Sequence, residues 1–183
     1  MKRSVVPFLS VMLVLVGCGA SGGVKAPTMP PTPTIPDALK TSPDSAVALE
    51  ARAVGVQIYE CKAKKDDASA FEWSLKAPEA DLLDASGKTV GKHYAGPTWE
   101  STDGSKVVGA VKAKVDAPDP GAIPWLLLDV KSTDGTGVFA RTSAVQRLAT
   151  EGGKAPTDGC TAADAGKETR VPYKATYTFY TPK

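Results

Sequence analysis

The 183-residue chain lacks asparagine altogether and contains one histidine and three cysteines. Because the chain offers so few imidazole and thiolate groups as metal ligands, we predict no metal site. We predict no cofactor either: Gly87-Lys88-Thr89 resembles the end of a phosphate-binding loop, but Leu82 stands where its first glycine is needed. Without asparagine, glycine must take most of the left-handed backbone positions in turns.

A long hydrophobic run is also missing. The apolar segment at residues 5–16 spans about a dozen residues, whereas a membrane-spanning helix needs roughly 20. It follows two basic residues and ends in Leu15-Val16-Gly17-Cys18, the pattern of a bacterial secretory signal that closes in a lipobox. We therefore predict that residues 1–17 are a signal peptide and that Cys18 is the site of lipid attachment, where several acyl chains give stable anchoring.

The chain has no marked excess of charge. Its 22 basic and 20 acidic residues give a formal net charge of +2, and Lys2 and Arg3 would leave with the signal peptide, so the 22 basic residues become 20. A neutral mature chain without a basic patch argues against a nucleic-acid partner. Gly19, where many lipoproteins of the inner membrane have aspartate, favours the outer membrane. We expect a lipid-anchored protein of the bacterial cell envelope, on its periplasmic or surface face.

The predicted mature chain divides in two by composition. Residues 18–45 are first rich in glycine and then in proline and threonine, so they bury little apolar surface and should form a disordered tether. Residues 46–183 are long enough to fold as one domain with its own core.

Hydrophobic alternation with a period of two predicts strands in this domain. Trp125 to Val130 is a continuous apolar run, which is typical of a strand buried on both faces. Glycine-containing turns separate the apolar runs. The predicted strands include Val56–Cys61, Phe71–Leu75, Val107–Val115 and Val171–Phe179, and the turns are Ser86-Gly87, Asp103-Gly104 and Asp134-Gly135. We predict an all-β fold, a single antiparallel sandwich or barrel-like domain.

Two segments are less clear. Ser45 to Val54 alternates like a strand but is rich enough in alanine for a helix, and we favour the strand. Val138 to Thr150 fits a short helix or a strand equally well.

Three cysteines reduce to one pair once Cys18 is lipidated. In an oxidising compartment Cys61 and Cys160 are expected to form a disulfide across a loop of roughly 100 residues. Two free thiols are the alternative.

Several motifs follow one another along the chain. They are Gly55-Val56-Gln57-Ile58-Tyr59-Glu60-Cys61, His93-Tyr94-Ala95-Gly96-Pro97-Thr98-Trp99-Glu100, Asp103-Gly104-Ser105, Ile123-Pro124-Trp125-Leu126-Leu127-Leu128 and Val145-Gln146-Arg147. In this order they resemble the domain-of-unknown-function family 3455, which occurs in secreted bacterial and fungal proteins. The resemblance covers about residues 35–180. It implies a secreted, β-rich domain with paired cysteines and assigns no catalytic residue.

The segment from residue 93 to residue 105 is the best candidate for a ligand-binding site. It holds His93, which titrates near neutral pH, Tyr94 and Trp99 on either side of a Gly-Pro turn, and the carboxylates of Glu100 and Asp103. Each has a structural alternative: the histidine at a strand end, the tryptophan in the core, Asp103 in the turn. We expect Trp99 to be partly exposed.

These features favour a non-enzymatic binding or interaction module whose partner is an envelope protein, a glycan or a small ligand. The alternatives are a small envelope hydrolase that uses His93 with Glu100 or a nearby serine, and a purely structural envelope component. We predict no catalytic residue. A hydrolase requires His93 and an acid about 3 Å apart in a concave pocket.

Overall fold

The computed structural model describes residues 34–183. The predicted signal peptide, the lipid-attachment residue Cys18 and most of the predicted tether lie outside the described residues. The described chain is built from eight antiparallel strands in one sheet, which closes on itself as a barrel-like ring. The strands are β1 (Ser45–Ala63), β2 (Phe71–Leu83), β3 (Thr89–Tyr94), β4 (Thr98–Ser101), β5 (Lys106–Val115), β6 (Trp125–Asp134), β7 (Ala144–Gly152) and β8 (Glu168–Pro182).

The all-β prediction is confirmed, and its individual strands are found where alternation placed them. Ser45 to Val54 is strand, as favoured, and forms the first half of β1. In β6, Leu126 and Leu128 pack inside the ring, whereas Trp125 and Leu127 pack against its outer face, so the run is buried on both faces. The segment 138–150 had been predicted as a short helix or a strand. It is a turn and irregular chain up to Ser143 and a strand from Ala144.

The ring closes where the first and last strands meet. β1 pairs with β8 from Ser45 opposite Pro182 to Glu60 opposite Glu168, and its other edge pairs with β2. At Gly55 a Cβ atom would lie 2.1 Å from the backbone oxygen of Glu79, so only glycine allows the two strands to approach this closely.

A short N-terminal segment covers part of the outer face. Leu39 ends a 3₁₀ turn, is fully buried and packs with Trp125, Leu127 and Leu148. Gln146 Nε2 donates a hydrogen bond of 2.6 Å to the Leu39 carbonyl oxygen. Residues 35–39, predicted as part of the disordered tether, are instead held in an apolar groove on the ring by the buried Leu39 and the partly buried Ile35. We call this segment the strap.

On one side the ring is closed only by a short hairpin. β3 pairs with β2 only along residues 80–83, and β4 pairs with β5 only along residues 106–108. This short hairpin therefore leaves residues 71–79 of β2 and residues 110–115 of β5 without a neighbouring strand between them. We call the resulting opening the lateral window.

The predicted disulfide between Cys61 and Cys160 is present. Around it the backbone of Cys61 exchanges hydrogen bonds with the loop before β8, donating to the Lys167 oxygen and accepting from the Gly166 amide, each at 2.9 Å. Trp73 Nε1 donates to the Asp158 oxygen at 2.8 Å, which holds the same loop on β2. Within residues 34–183, no helix is long and apolar enough to cross a membrane.

Candidate functional site

The β3–β4 hairpin carries four of the five residues predicted to bind a ligand, and Asp103 follows it, but the fold separates them. Strand alternation sends His93 and Trp99, which are register partners, to the inner side of the ring. Tyr94 and Glu100 lie together elsewhere on the hairpin, and Asp103 occupies the turn after β4. The five residues therefore do not form one site.

His93 is held as a neutral imidazole. It is 2 % exposed, and its Nδ1 lies 2.8 Å from the carbonyl oxygen of Thr98. Since a carbonyl only accepts, Nδ1 carries the proton and Nε2 is left as an acceptor. Burial, helped by the nearby positive charge of Arg147, lowers the pKa of His93 to about 3.

Trp99 is 1 % exposed, so the expectation of partial exposure is wrong. Its ring stacks on that of His93 at a centroid distance of 4.6 Å and meets the rings of Tyr177 and Phe179 edge-on. The absence of a side chain at Gly109 leaves room for it, because a Cβ there would lie 3.1 Å from the indole. Its sequence neighbours Pro97 and Glu100 suggested an exposed position, but Trp99 becomes buried when the ring closes around it.

The carboxylate of Glu100 does not contact the histidine. It accepts a hydrogen bond of 2.8 Å from the Tyr94 hydroxyl and lies 3.5 Å from Lys106 Nζ. The bond to Glu100 raises the pKa of Tyr94, since losing the phenolic proton would place two negative charges side by side. The pairing of His93 with Glu100 expected of a hydrolase is therefore absent.

Asp103 has a structural part to play. Its carboxylate accepts from the amide and the hydroxyl of Ser105, at 2.8 and 2.6 Å, and from the Val138 amide at 2.8 Å. These bonds lower its pKa to about 2. The Ser105 hydroxyl also accepts from the Phe139 amide at 3.1 Å. Asp103 and Ser105 thus fasten the β4–β5 turn to the loop before β7, and neither is arranged for nucleophilic attack.

A cavity of about 330 Å³ opens at the lateral window and reaches His93 and Trp99. Apolar side chains of β2, β5 and β6 and the turn of the β3–β4 hairpin form most of its wall, and three polar side chains come from β1, β7 and β8. The lining residues used below are Gln57, Leu75, Lys76, Val111, Arg147 and Tyr177.

Leu75 and Val111 mark the mouth of this cavity. Leu75 is the register partner of the buried Tyr59, and Val111 that of the buried Leu128, so both side chains face the inside of the ring. They are nevertheless 58 % and 57 % exposed. Inward-facing apolar side chains remain this exposed only where the ring is open, so the cavity communicates with solvent through the lateral window.

Several polar atoms in and beside the cavity lack a partner. Gln57 Nε2 is buried without a hydrogen bond to any described residue, and the hydroxyl groups of Tyr177 and Tyr173 are buried with no partner among the described residues other than each other. Burial and the neighbouring Tyr177 raise the pKa of Tyr173, so the phenol stays protonated. An unsatisfied buried polar group costs about 1–3 kcal/mol, so these atoms favour the entry of a molecule that can hydrogen-bond to them.

Arg147 is the positive charge of the cavity. Its Nε and Nη2 donate to the Pro124 oxygen at 3.1 and 2.8 Å, and no carboxylate of the described residues lies within 4.0 Å of it. The same charge lowers the pKa of His93 and opposes the rise that burial causes in the pKa of Tyr59 and Tyr173. It therefore affects ionisable groups on several sides of the interior of the ring, which we call the lumen.

Gln57, Arg147 and Tyr177 were not predicted as site residues. They lie on three strands far apart in sequence, and only closure of the ring brings them together. For two of them the strand alternation gives a signal. Arg147 is two residues after the inward-facing Val145, and Gln57 is four residues after the inward-facing Ala53, so both fall on the inner face of the ring. Burying a charged or amide side chain at an inward position of a strand costs free energy unless the side chain has a polar partner.

A second groove of about 280 Å³ lies beside Gly55 and the outer part of the β2–β3 pair. Its arginine, Arg170, is already paired with Glu79 at 2.9 Å. Within residues 34–183, no three histidine, cysteine or acidic side chains converge as a metal site would require. Of the two, the cavity at the lateral window therefore has more charged and polar groups without a partner.

Comparison with known proteins adds a family and no activity. The family model described as Protein of unknown function (DUF3455) matches residues 42–181, a stretch that contains all lining residues of the cavity. No curated protein and no solved structure matches the chain.

Proposed function

The chain belongs to the DUF3455 family of proteins of unknown function, and from the geometry of the site we propose that it is a non-enzymatic binding protein for a small organic molecule. The observation that carries the proposal is the open cavity with its exposed inward-facing residues Leu75 and Val111. Mouths of barrels and clefts of 300–1,000 Å³ with apolar walls and a few polar groups are the usual sites for such ligands.

The cavity offers two kinds of recognition. Its apolar wall gains about 25 cal/mol for each Å² of apolar ligand surface removed from water. The orphaned groups of Gln57 and Tyr177 would gain partners, which fixes the orientation of the ligand. A purely structural component has no need of either feature.

The hydrolase alternative has little support in this geometry. His93 contacts no acid, its Nδ1 is engaged by a backbone oxygen, and the cavity is lined by no aspartate, glutamate or serine. A histidine with a pKa near 3 is also a weak base for drawing a proton from water or a hydroxyl group.

We place this binding protein in the bacterial cell envelope, lipid-anchored through Cys18 at the outer membrane. The lipobox pattern at residues 15–18 supports the anchor, and the disulfide of Cys61 and Cys160 supports an oxidising compartment. In the producing bacterium, the chain is expected to incorporate a labelled fatty acid, and Cys18→Ala is expected to lose that label. A Cys18→Ala variant that keeps the label would contradict the anchor.

The binding proposal is tested with N-phenyl-1-naphthylamine, a neutral aromatic probe whose fluorescence rises in apolar surroundings. We expect saturable binding to one site when the purified full chain is titrated into the probe. At about 0.3 kcal/mol per non-hydrogen atom, the dissociation constant is on the order of 100 µM. Val111→Trp places an indole in the mouth and should weaken binding at least about tenfold.

Lys112→Trp is the matched control. Lys112 is the exposed neighbour of Val111, lies outside the cavity lining and makes only a solvent-exposed ion pair with Asp129, so this variant should bind like the unmodified chain. Circular dichroism checks that both variants fold. The proposal is wrong if the probe does not bind, or if Val111→Trp and Lys112→Trp bind it equally well.

A further inference from the structure

We infer that the ligand of the lumen is a monoanion, a carboxylate on an apolar body, whose charge the Arg147 guanidinium neutralises. This inference rests on the proposed binding function and adds the chemical class of the ligand. It follows from the charges around the cavity, from the hydrogen-bond donors that face it and from the shape of its wall.

The first argument is the missing counter-charge. Arg147 is half-buried, lines the cavity and is paired with no carboxylate of the described residues. Among the described residues its only hydrogen-bond acceptor is the Pro124 oxygen, which leaves Nη1 uncommitted. Burying part of a charged group costs free energy that an opposite charge offsets, so we expect the partner to come from outside the chain.

The second argument is a count of the charged groups that face the cavity. Arg147 and Lys76 are the only charged residues of its lining, and no acidic residue contributes. Lys76 already forms an ion pair with Glu168, so its charge is compensated at the rim. One uncompensated positive charge matches one negative charge. A phosphate dianion would remain half unpaired, whereas a planar carboxylate fits the fork of a guanidinium.

The third argument is the chemistry of the remaining groups. Gln57 Nε2 and the Tyr177 hydroxyl are unpaired donors, which suit the oxygens of a carboxylate. Because Arg147, Gln57 and Tyr177 lie on β7, β1 and β8, the headgroup would sit deep in the ring, on the side opposite the lateral window. The apolar body would then extend past Trp99 towards Leu75 and Val111 at the mouth.

The test uses three pairs of probes of nearly the same size and shape, each a carboxylate and its neutral amide: benzoate and benzamide, 2-naphthoate and 2-naphthamide, octanoate and octanamide. Isothermal titration calorimetry at pH 7 measures each against the full chain. In every pair that binds, we expect the acid to bind at least about tenfold more tightly than its amide. Arg147→Gln should abolish this preference, and Arg147→Lys, which keeps the charge, should retain part of it.

Arg52→Gln is the matched control, since Arg52 is an exposed arginine on the outer face of β1 and its replacement removes the same charge. Amides that bind as tightly as acids, or a preference that survives in Arg147→Gln, would overturn the carboxylate inference and leave the binding proposal intact. If Arg147→Gln does not fold, the probe pairs on the unmodified chain decide. Failure of all six probes together with N-phenyl-1-naphthylamine contradicts the binding proposal itself.

Discussion

Replacing both Cys61 and Cys160 by serine is expected to lower the free energy of unfolding by about 4 kcal/mol. The bridge joins residues 99 apart in sequence. In the chain-entropy model, closing a loop of about 100 residues restricts the unfolded chain by about 4.7 kcal/mol, and removal of native disulfides from small secreted domains costs about 2–5 kcal/mol. The effect is large relative to the about 5–15 kcal/mol that stabilise a typical domain.

Urea unfolding of the double variant and of the unmodified chain, each with and without reductant, measures this difference. Reductant should destabilise the unmodified chain by a similar amount and leave the double variant unchanged. Intact-mass measurement should show the unmodified chain gaining two hydrogen atoms on reduction. A loss of stability below about 1 kcal/mol would mean that the loop before β8 is held by its hydrogen bonds to Cys61 and Trp73 alone.

Trp99→Ala is expected to cost about 3–5 kcal/mol, the range measured when a large aromatic side chain is removed from a core. Trp99 is 1 % exposed and contacts three other rings, His93, Tyr177 and Phe179. Its removal would merge its own volume with the cavity beside it, and the structure around a closed ring of strands has little freedom to collapse into the gap.

Trp73→Ala is the control, because it removes the same side chain from a partly exposed position. Trp73 makes one hydrogen bond to the 153–167 loop, so we expect less than half the loss found for Trp99→Ala. Denaturant unfolding compares the two variants. Equal losses would contradict the central position given to Trp99 in the core.

The strands were predictable because their signal is local. In β8 the buried Tyr173, Ala175 and Tyr177 alternate with Pro172, Lys174 and Thr176, so the sequence itself shows the side-chain period of two. The turns at Gly87, Gly104 and Gly135 were predictable for the same reason, and each glycine has a positive φ, between 78° and 86°. The disulfide followed from counting cysteines in a predicted oxidising compartment.

The site was not predictable in the same way, because its signal is not local. His93 and Trp99 were singled out for standing close in sequence to acids and a tyrosine, yet alternation places those neighbours on other faces. The partners that matter, Gln57, Arg147 and Tyr177, come from strands that meet only when β1 pairs with β8. The strap was missed because only Leu39 and the partly buried Ile35 anchor residues 35–39 inside a proline-rich sequence.

The pairing of β1 with β8 also sets the order of events during folding. β8 fills the last gap in the ring and pairs with β1 on one side and β7 on the other. During synthesis β1 emerges more than 100 residues ahead of its partner. Since contacts between such distant segments are slow to form, the ring is expected to close only after β8 has left the ribosome or translocation pore. The lumen, and with it the cavity, is therefore a late product of folding.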